Sequence, residues 1–435
     1  MGVLPPDGRR RVMRNVRFSR GGWKVMLVTV TILALILTGM FTLSLKEPAV
    51  AKAEVDKAEV ESAEIEALVK KAALIFATAV PHDKLLASSA TVVEIKITDN
   101  NGVEAIVNTE RTFVLDYKSA YDEPYLKGKT KWLSENESKL SPAEVNVAKT
   151  EMKGYADWVQ WEMQVPSTIY APYKLIASSL EEARNGNFTV YLWTDIDRVK
   201  NGTVQNWIPN NIFIPTDEEA TNRAYETFDS HVKQLIPVYA KAEQTAIERG
   251  EKNQNSDDAK QTESISPFVN MYNYAGAANY ARTYTSNTTA TRMCSNGVIV
   301  KQDPSYYNGY YYYLCADCAN YVSQALHIGG GIPTDSVWYP ISGVSCAWNN
   351  VYGTNGAGIV PYFSSLGWIS QSNYESVQPG DFLVMNSSSH IMMVTAKDLS
   401  GVQASAHTDD VRNQPIANNY TKTFYHVLPT AGGIQ

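Results

Sequence analysis

The run Cys315-Ala316-Asp317-Cys318-Ala319-Asn320-Tyr321-Val322-Ser323-Gln324-Ala325-Leu326 constrains the fold of this chain more than any other segment. Cys318, Tyr321, Val322, Ala325 and Leu326 fall at i, i+3, i+4, i+7 and i+8, the buried stripe of an amphipathic helix. Cys318 therefore heads a helix that has to press one face against another layer. Asp317 is a good N-cap residue, which puts Cys318 at the positive end of the helix dipole, where a thiolate is favoured over a thiol. A nucleophile gains from that position; a structural core thiol does not.

A nucleophilic thiol needs a base from elsewhere in the fold. The six histidines are His82, His231, His327, His390, His407 and His426. His390 opens the apolar run His390 to Val394, after the polar turn Asn386-Ser387-Ser388-Ser389 and a strand-like run Asp381 to Met385. This pattern predicts a hairpin with His390 at the mouth of its second strand. A further strand, Val402 to Ala406, ends on His407, and Thr423 to Val427 contains His426. His327 is expected near the C-terminal end of the Cys318 helix, and His82 and His231 on the surface.

Taken together, Asp317-Cys318-x-Asn320-Tyr321-Val322-Ser323-Gln324, Gly367-Trp368, Gly380-Asp381-Phe382, Ser389-His390-Ile391 and Ser405-Ala406-His407-Thr408-Asp409-Asp410 resemble the putative amidase domain of secreted bacterial proteins, related to the NlpC/P60 and CHAP cysteine hydrolases. The resemblance covers roughly residues 268 to 430. It implies an α+β, papain-like catalytic domain with a Cys-bearing helix packed on an antiparallel sheet. It further implies Cys318 as nucleophile, His390 as general base and His407 as the residue that orients the base. Asp317, by analogy with acidic residues beside the nucleophile in related enzymes, is expected to meet a substrate amine, with Asn320 as nearby polar support. The substrate class that the resemblance implies is the peptide part of cell-wall peptidoglycan.

The same cysteines fit other chemistries. Cys315 and Cys318 form a Cys-x-x-Cys that a redox protein would use, and with Cys294 and Cys346 they could make a four-cysteine zinc site. Neither scheme uses the downstream histidine hairpin, so the hydrolase reading is preferred and calls for no metal or cofactor. A catalytically inactive module that binds wall peptides is the alternative from another class. For Cys315, a disulfide to Cys294 or Cys346 is expected rather than one to Cys318, because an exported enzyme that locked its own nucleophile would be inactive where it works; the sequence leaves the partner open.

Residues 1–24 carry Arg9, Arg10, Arg11, Arg14, Arg17, Arg20 and Lys24 against one acid, Asp7, and residues 25–45 carry no charge. That apolar run is long enough to span a bilayer, and the basic cluster before it predicts a cytoplasmic N-terminus with the remainder exported. Ala51-Lys52-Ala53 also satisfies a signal-cleavage pattern, so the chain is either membrane-anchored or secreted after cleavage near Ala53. Seven of the 38 basic and one of the 45 acidic residues lie in the leader, which leaves 31 against 44 and a formal charge of −13 on the remainder. Nucleic acid is excluded as a partner on that balance.

Residues 54–249 are expected to form a separate α+β domain of unassigned role: a helix over Glu54 to Thr78, a hairpin turning at Asp99-Asn100-Asn101-Gly102, strands near Arg111 to Tyr117 and Phe188 to Trp193, and a helix from about Glu218 to Arg249, kinked or broken near Pro237. Residues 250–267 are polar enough to be a flexible linker to the catalytic domain, 268–435. The tyrosine-dense loop before Cys318 offers Tyr310 and Tyr312 as aromatic substrate contacts at the rim of a cleft.

Overall fold

A computed structural model describes residues 49–98, 101–193, 207–209, 214–248, 272–309, 312–340, 345–386, 390–416, 418 and 421–431. The basic leader 1–24, the apolar segment 25–45 and the linker 250–267 lie outside the described residues. Among the described residues no helix is long and apolar enough to cross a membrane. The chain divides into two compact units, Met1–Ala63 and Glu64–Gln435.

Helix α1 (Ala49–Thr78) buries Ile65, Val69, Ala72, Ala73 and Ala77 on the face that its apolar spacing predicts. Strands β1 (Asp83–Ile97) and β2 (Val103–Leu115) then form the expected hairpin. Its turn has Asn101 in the left-handed region at φ 57°, and the Gly102 N–H donates to Thr98 Oγ1 at 3.0 Å. The strand expected near Arg111 to Tyr117 is the second half of β2, because inward and outward residues alternate without a break from Val103 to Leu115.

Helices α2 (Pro124–Asn136) and α3 (Pro142–Glu162) follow. Neither was anticipated, although both carry start signals. Pro124 and Pro142 stand in their first turns, and Ser141 and Glu144 form a reciprocal capping box. Strand β3 (Ser167–Ala177), the short helix α4 (Leu180–Arg184), β4 (Thr189–Trp193) and β5 (Trp207–Pro209) complete an antiparallel sheet of order β1-β2-β3-β4-β5. Helix α5 (Asp217–Glu248) passes through Pro237 as one element. It lies so close to α2 that a Cβ on Gly128 would sit 2.2 Å from the Thr221 carbonyl oxygen, which makes glycine necessary there. His231, expected at the surface, is buried: it lies between Phe228, Val232 and Leu235 on the inward face of α5.

The second half begins with α6 (Tyr274–Thr283), capped by Asn273, and the small hairpin β6 (Thr291–Met293) and β7 (Ile299–Lys301). Helix α7 (Cys318–Gln324) runs on as a π-helical turn, Ala325–Gly329, and is followed by α8 (Cys346–Asn349) and α9 (Ile359–Leu366). Strands β8 (Ile369–Ser372), β9 (Phe382–Met385), β10 (His390–Asp398), β11 (Gly401–Ala406), β12 (Val411–Ile416) and β13 (Lys422–Val427) make an antiparallel sheet of order β12-β11-β10-β9-β13-β8. Every residue of β10 is buried, and α7 packs across it.

The class is thus mixed α+β with antiparallel sheets, as expected. From Glu64 on, the N-terminal region, expected as a separate domain over residues 54–249, falls in the same unit as the second sheet. Leu399 and Leu428 lie in one apolar cluster with Trp132, Trp158 and Phe228 of the helical layer. Polar contacts cross the same boundary: Arg282 Nη1 donates to Glu162 Oε1 at 2.7 Å, and the buried Arg111 guanidinium pairs with both Asp83 and Asp398.

In that last cluster two carboxylates share one cation. Burial, and then the charge of Asp398, push Asp83 up to about 8. A carboxyl group whose folded pKa is raised binds more protons in the folded state than in the unfolded one. It therefore removes stability as pH rises between its unfolded value, near 4, and about 8. Asp83→Asn is expected to flatten the stability-versus-pH curve across that window, by up to about 1.4 kcal/mol per pH unit. Urea unfolding between pH 4.5 and 8 measures it; an unchanged slope would show that Asp83 is ionised throughout.

Candidate active site

Cys318 opens α7 as the sequence predicts, and it is half-buried against the apolar cluster that contains Ile391 and Met393 of β10. Tyr321, Val322, Ala325 and Leu326 form the buried stripe. The opposite face is buried as well, because α8 and α6 cover it. A two-colour reading of the helix missed this, since the second face is polar and its groups are satisfied inside. Asn320 Oδ1 accepts from Trp348 Nε1 at 2.6 Å, Ser323 Oγ donates to the Trp348 carbonyl at 2.8 Å, and Gln324 Oε1 accepts from the Tyr280 hydroxyl at 2.7 Å. The helix is therefore clamped on all sides, and the residue that heads it is held with it.

Asp317 stands at the N-cap position but makes no side-chain cap. Its carboxylate turns inward instead. Oδ1 accepts from the Tyr313 N–H at 2.6 Å and from Asn320 Nδ2 at 2.8 Å, and Oδ2 lies 2.6 Å from His407 Nδ1. Its own N–H donates to Thr408 Oγ1 at 2.7 Å. Asp317 has no exposed surface and Asn320 is 1% exposed, so neither is presented to a substrate as the sequence reading expected. They fix the backbone that carries Cys318.

His390 is the first residue of β10, paired with Met385 of β9, so the predicted hairpin forms with His390 at its mouth. Its turn residues, 387–389, lie outside the described residues. His407 differs from its expected role. Its Nε2–H donates to the Tyr284 carbonyl at 2.6 Å, its Nδ1 meets Asp317, and its ring is sandwiched between Tyr307 at 3.6 Å and Tyr321 at 4.0 Å. Both ring nitrogens are spent on these partners, which makes His407 a clamp on Asp317 rather than an orienter hydrogen-bonded to His390. His426 meets Glu151 of α3 through Nε2 and the Asp381 carboxylate through Nδ1. His327 closes the π-helical turn through Nδ1 and the Ile332 carbonyl at 2.7 Å.

The β11–β12 turn is the hub of the loop before Cys318. Thr408 and Asp409 take left-handed backbone at φ 64° and 72°, a conformation that costs a non-glycine residue energy and persists only when its surroundings enforce it. Asp409 Oδ1 accepts from the Lys301 N–H at 2.9 Å, and Asp410 accepts from the Asp303 N–H at 2.9 Å and the Tyr307 hydroxyl at 2.7 Å. Burial holds the Asp410 carboxyl above, and the Tyr307 phenol well above, their ordinary ranges. The motif read as histidine-bearing thus serves through its neighbours too, which anchor β7 and the tyrosine loop. In that loop Tyr312 is 41% exposed and meets Tyr307 edge to face, while Tyr310 lies outside the described residues.

The disulfide joins Cys294 to Cys315, with Cα atoms 5.8 Å apart. It ties the β6–β7 hairpin to the segment before α7 and leaves Cys318 and Cys346 as thiols. A Cys315–Cys318 redox pair is therefore not what this structure contains.

Residues 271–428 match the family model of the putative amidase domain, which suggests hydrolysis of an amide bond. No curated protein and no solved structure matches the chain.

His407→Ala would strip a buried carboxylate of one partner and open a gap between Tyr307 and Tyr321. The expected cost is about 3 kcal/mol of folding stability, measured by urea unfolding, with faster alkylation of Cys318 as its loop loosens. A stability loss below about 0.5 kcal/mol would show that His407 is not the clamp its contacts describe.

Proposed function

We propose that the chain is an exported thiol hydrolase that cleaves amide or peptide bonds in cell-wall peptidoglycan, working in a papain-like, NlpC/P60-type arrangement. His390 takes the thiol proton, and the Cys318 thiolate attacks the scissile carbonyl carbon. The amine leaves with the proton that His390 returns, and a thioester remains on Cys318. Water, deprotonated by His390, then attacks the thioester, releases the acid and restores the thiol.

The observation that carries this reading is the placement of Cys318: a thiol outside the disulfide, at the first position of a helix clamped on all faces, packed against the strand that begins at His390. A nucleophile benefits from such rigidity, because covalent catalysis depends on a fixed angle of attack. The amide-hydrolysing class rests on the family match over residues 271–428. Export rests on the basic leader and the uncharged run 25–45, and the wall substrate on the resemblance to exported wall hydrolases.

Purified protein should release products from muropeptides, read by mass spectrometry. Cys318→Ser and His390→Ala should each lower kcat by at least about 10⁴-fold, and the double variant by little more than either, because nucleophile and base act as one unit. Wild-type protein that binds such peptides and never cleaves them would replace this reading with that of a binding module. Cleavage that survives Cys318→Ser would remove the thiol from the chemistry.

A further inference from the structure

Away from the thiol site, Glu151 of α3, His231 of α5 and His426 of β13 converge, each at least nine-tenths buried. Their ligand-capable atoms all lie within 4.8 Å of one another. Glu151 Oε2 is 2.8 Å from His426 Nε2 and 3.7 Å from His231 Nε2. Two imidazole nitrogens and a carboxylate oxygen bound to zinc at about 2.0–2.1 Å in tetrahedral geometry would stand about 3.3 Å apart, and the two observed separations bracket that value.

The far side of His426 is built as a metal-ligating histidine requires. Nδ1 faces both oxygens of Asp381, at 3.0 and 3.1 Å. Asp381 is already held as an acceptor by the N–H groups of Val427 and Gln378, each at 2.9 Å. The proton between them therefore sits on Nδ1, and Nε2 is aimed at Glu151. This is the carboxylate–histidine arrangement that fixes the tautomer and orientation of metal-bound imidazoles. Glu151 Oε2 carries no hydrogen as a carboxylate, so a cation must occupy the space between it and Nε2: a proton or a metal ion. The hydroxyls of Tyr239, 2.7 Å from Glu151 Oε1, and Tyr274, 3.5 Å from His426 Nε2, border the same space.

The geometry points to a structural zinc site formed by Glu151, His231 and His426. Two imidazoles and one carboxylate are donors that zinc accepts, and they leave the fourth tetrahedral position to a water; the burial of all three ligands, rather than the donor set, gives the ion a structural role. Its ligands come from two helices of the N-terminal layer and from the sheet of the amidase region, so the ion joins the two. His426 belongs to the strand that pairs with β9, which in turn pairs with β10, so the site braces the sheet that presents His390.

The full chain, purified without chelator and dialysed exhaustively, is expected to retain about one zinc per molecule by inductively coupled plasma mass spectrometry. Stripping with a chelator should lower Tm, and one equivalent of zinc should restore it. Cobalt(II) in the stripped protein should give visible d–d bands of a four-coordinate site without the near-ultraviolet thiolate charge-transfer band that Cys318 or Cys346 would produce. His231→Gln should lose the zinc and the cobalt spectrum while keeping its circular dichroism. Should that variant not fold, the wild-type metal content and cobalt spectrum decide alone. Protein that holds no zinc, with a Tm that zinc does not move after stripping, would overturn the proposal and leave a proton between Glu151 and His426. A thiolate charge-transfer band would overturn it equally, by moving the ion to the cysteines.

Discussion

A carboxylate with no exposed surface has to find its donors within the protein, and the partners Asp317 finds organise the region around Cys318. Tyr313 brings the tyrosine loop, Asn320 brings the helix, and His407 brings the end of β11. Because the penalty for leaving such a group unpaired is several kcal/mol, these segments are held together more firmly than apolar contact alone would hold them. Cys318 is the next residue. Its direction is set by a polar knot beneath it, while its own side chain packs on the apolar cluster of the sheet.

The same logic recurs at the boundary between the N-terminal layer and the second sheet. Arg111 with Asp83 and Asp398, Arg282 with Glu162, and Glu151 with His426 are all buried, and each links residues far apart in sequence. Apolar contact through Leu399 and Leu428 supplies area at this boundary, but area is tolerant of sliding. Buried hydrogen-bonded and charged contacts are not, since a small displacement leaves a buried polar group or charge without its partner. These pairs therefore fix one mutual position for two regions that a reading of the chain would divide.

Legibility followed periodicity. The Cys318 helix, the β9–β10 hairpin, the strand ending at Ala406 and the β1–β2 hairpin were readable because each shows a single period bounded by a turn signal. Helices α2 and α3 were missed although Pro124 and the Ser141–Glu144 box announce them, because their apolar residues are diluted by lysine, glutamate and threonine. The expectation of a surface position for His231 follows only from its lying outside the amidase-like region. Its burial shows only when Phe228, Val232 and Leu235 are seen to share its face.

By itself the sequence determined which residues could do chemistry: a cysteine at a helix start, a histidine at a strand mouth, and the spaced motifs that tie them to an amidase-type domain. Local periodicity and short-range caps carry that information, so it survives without any knowledge of the fold. The tertiary structure decided what the polar residues around them are for. Asp317, Asn320 and His407 all read as substrate or catalytic groups in one dimension, and all three are spent on one another and on buried neighbours. The tertiary structure alone also brought Glu151, His231 and His426 together from three distant elements. Hydrogen-bond partners of buried groups are chosen by whatever the fold places within about 3 Å, and no local pattern in a chain records that choice.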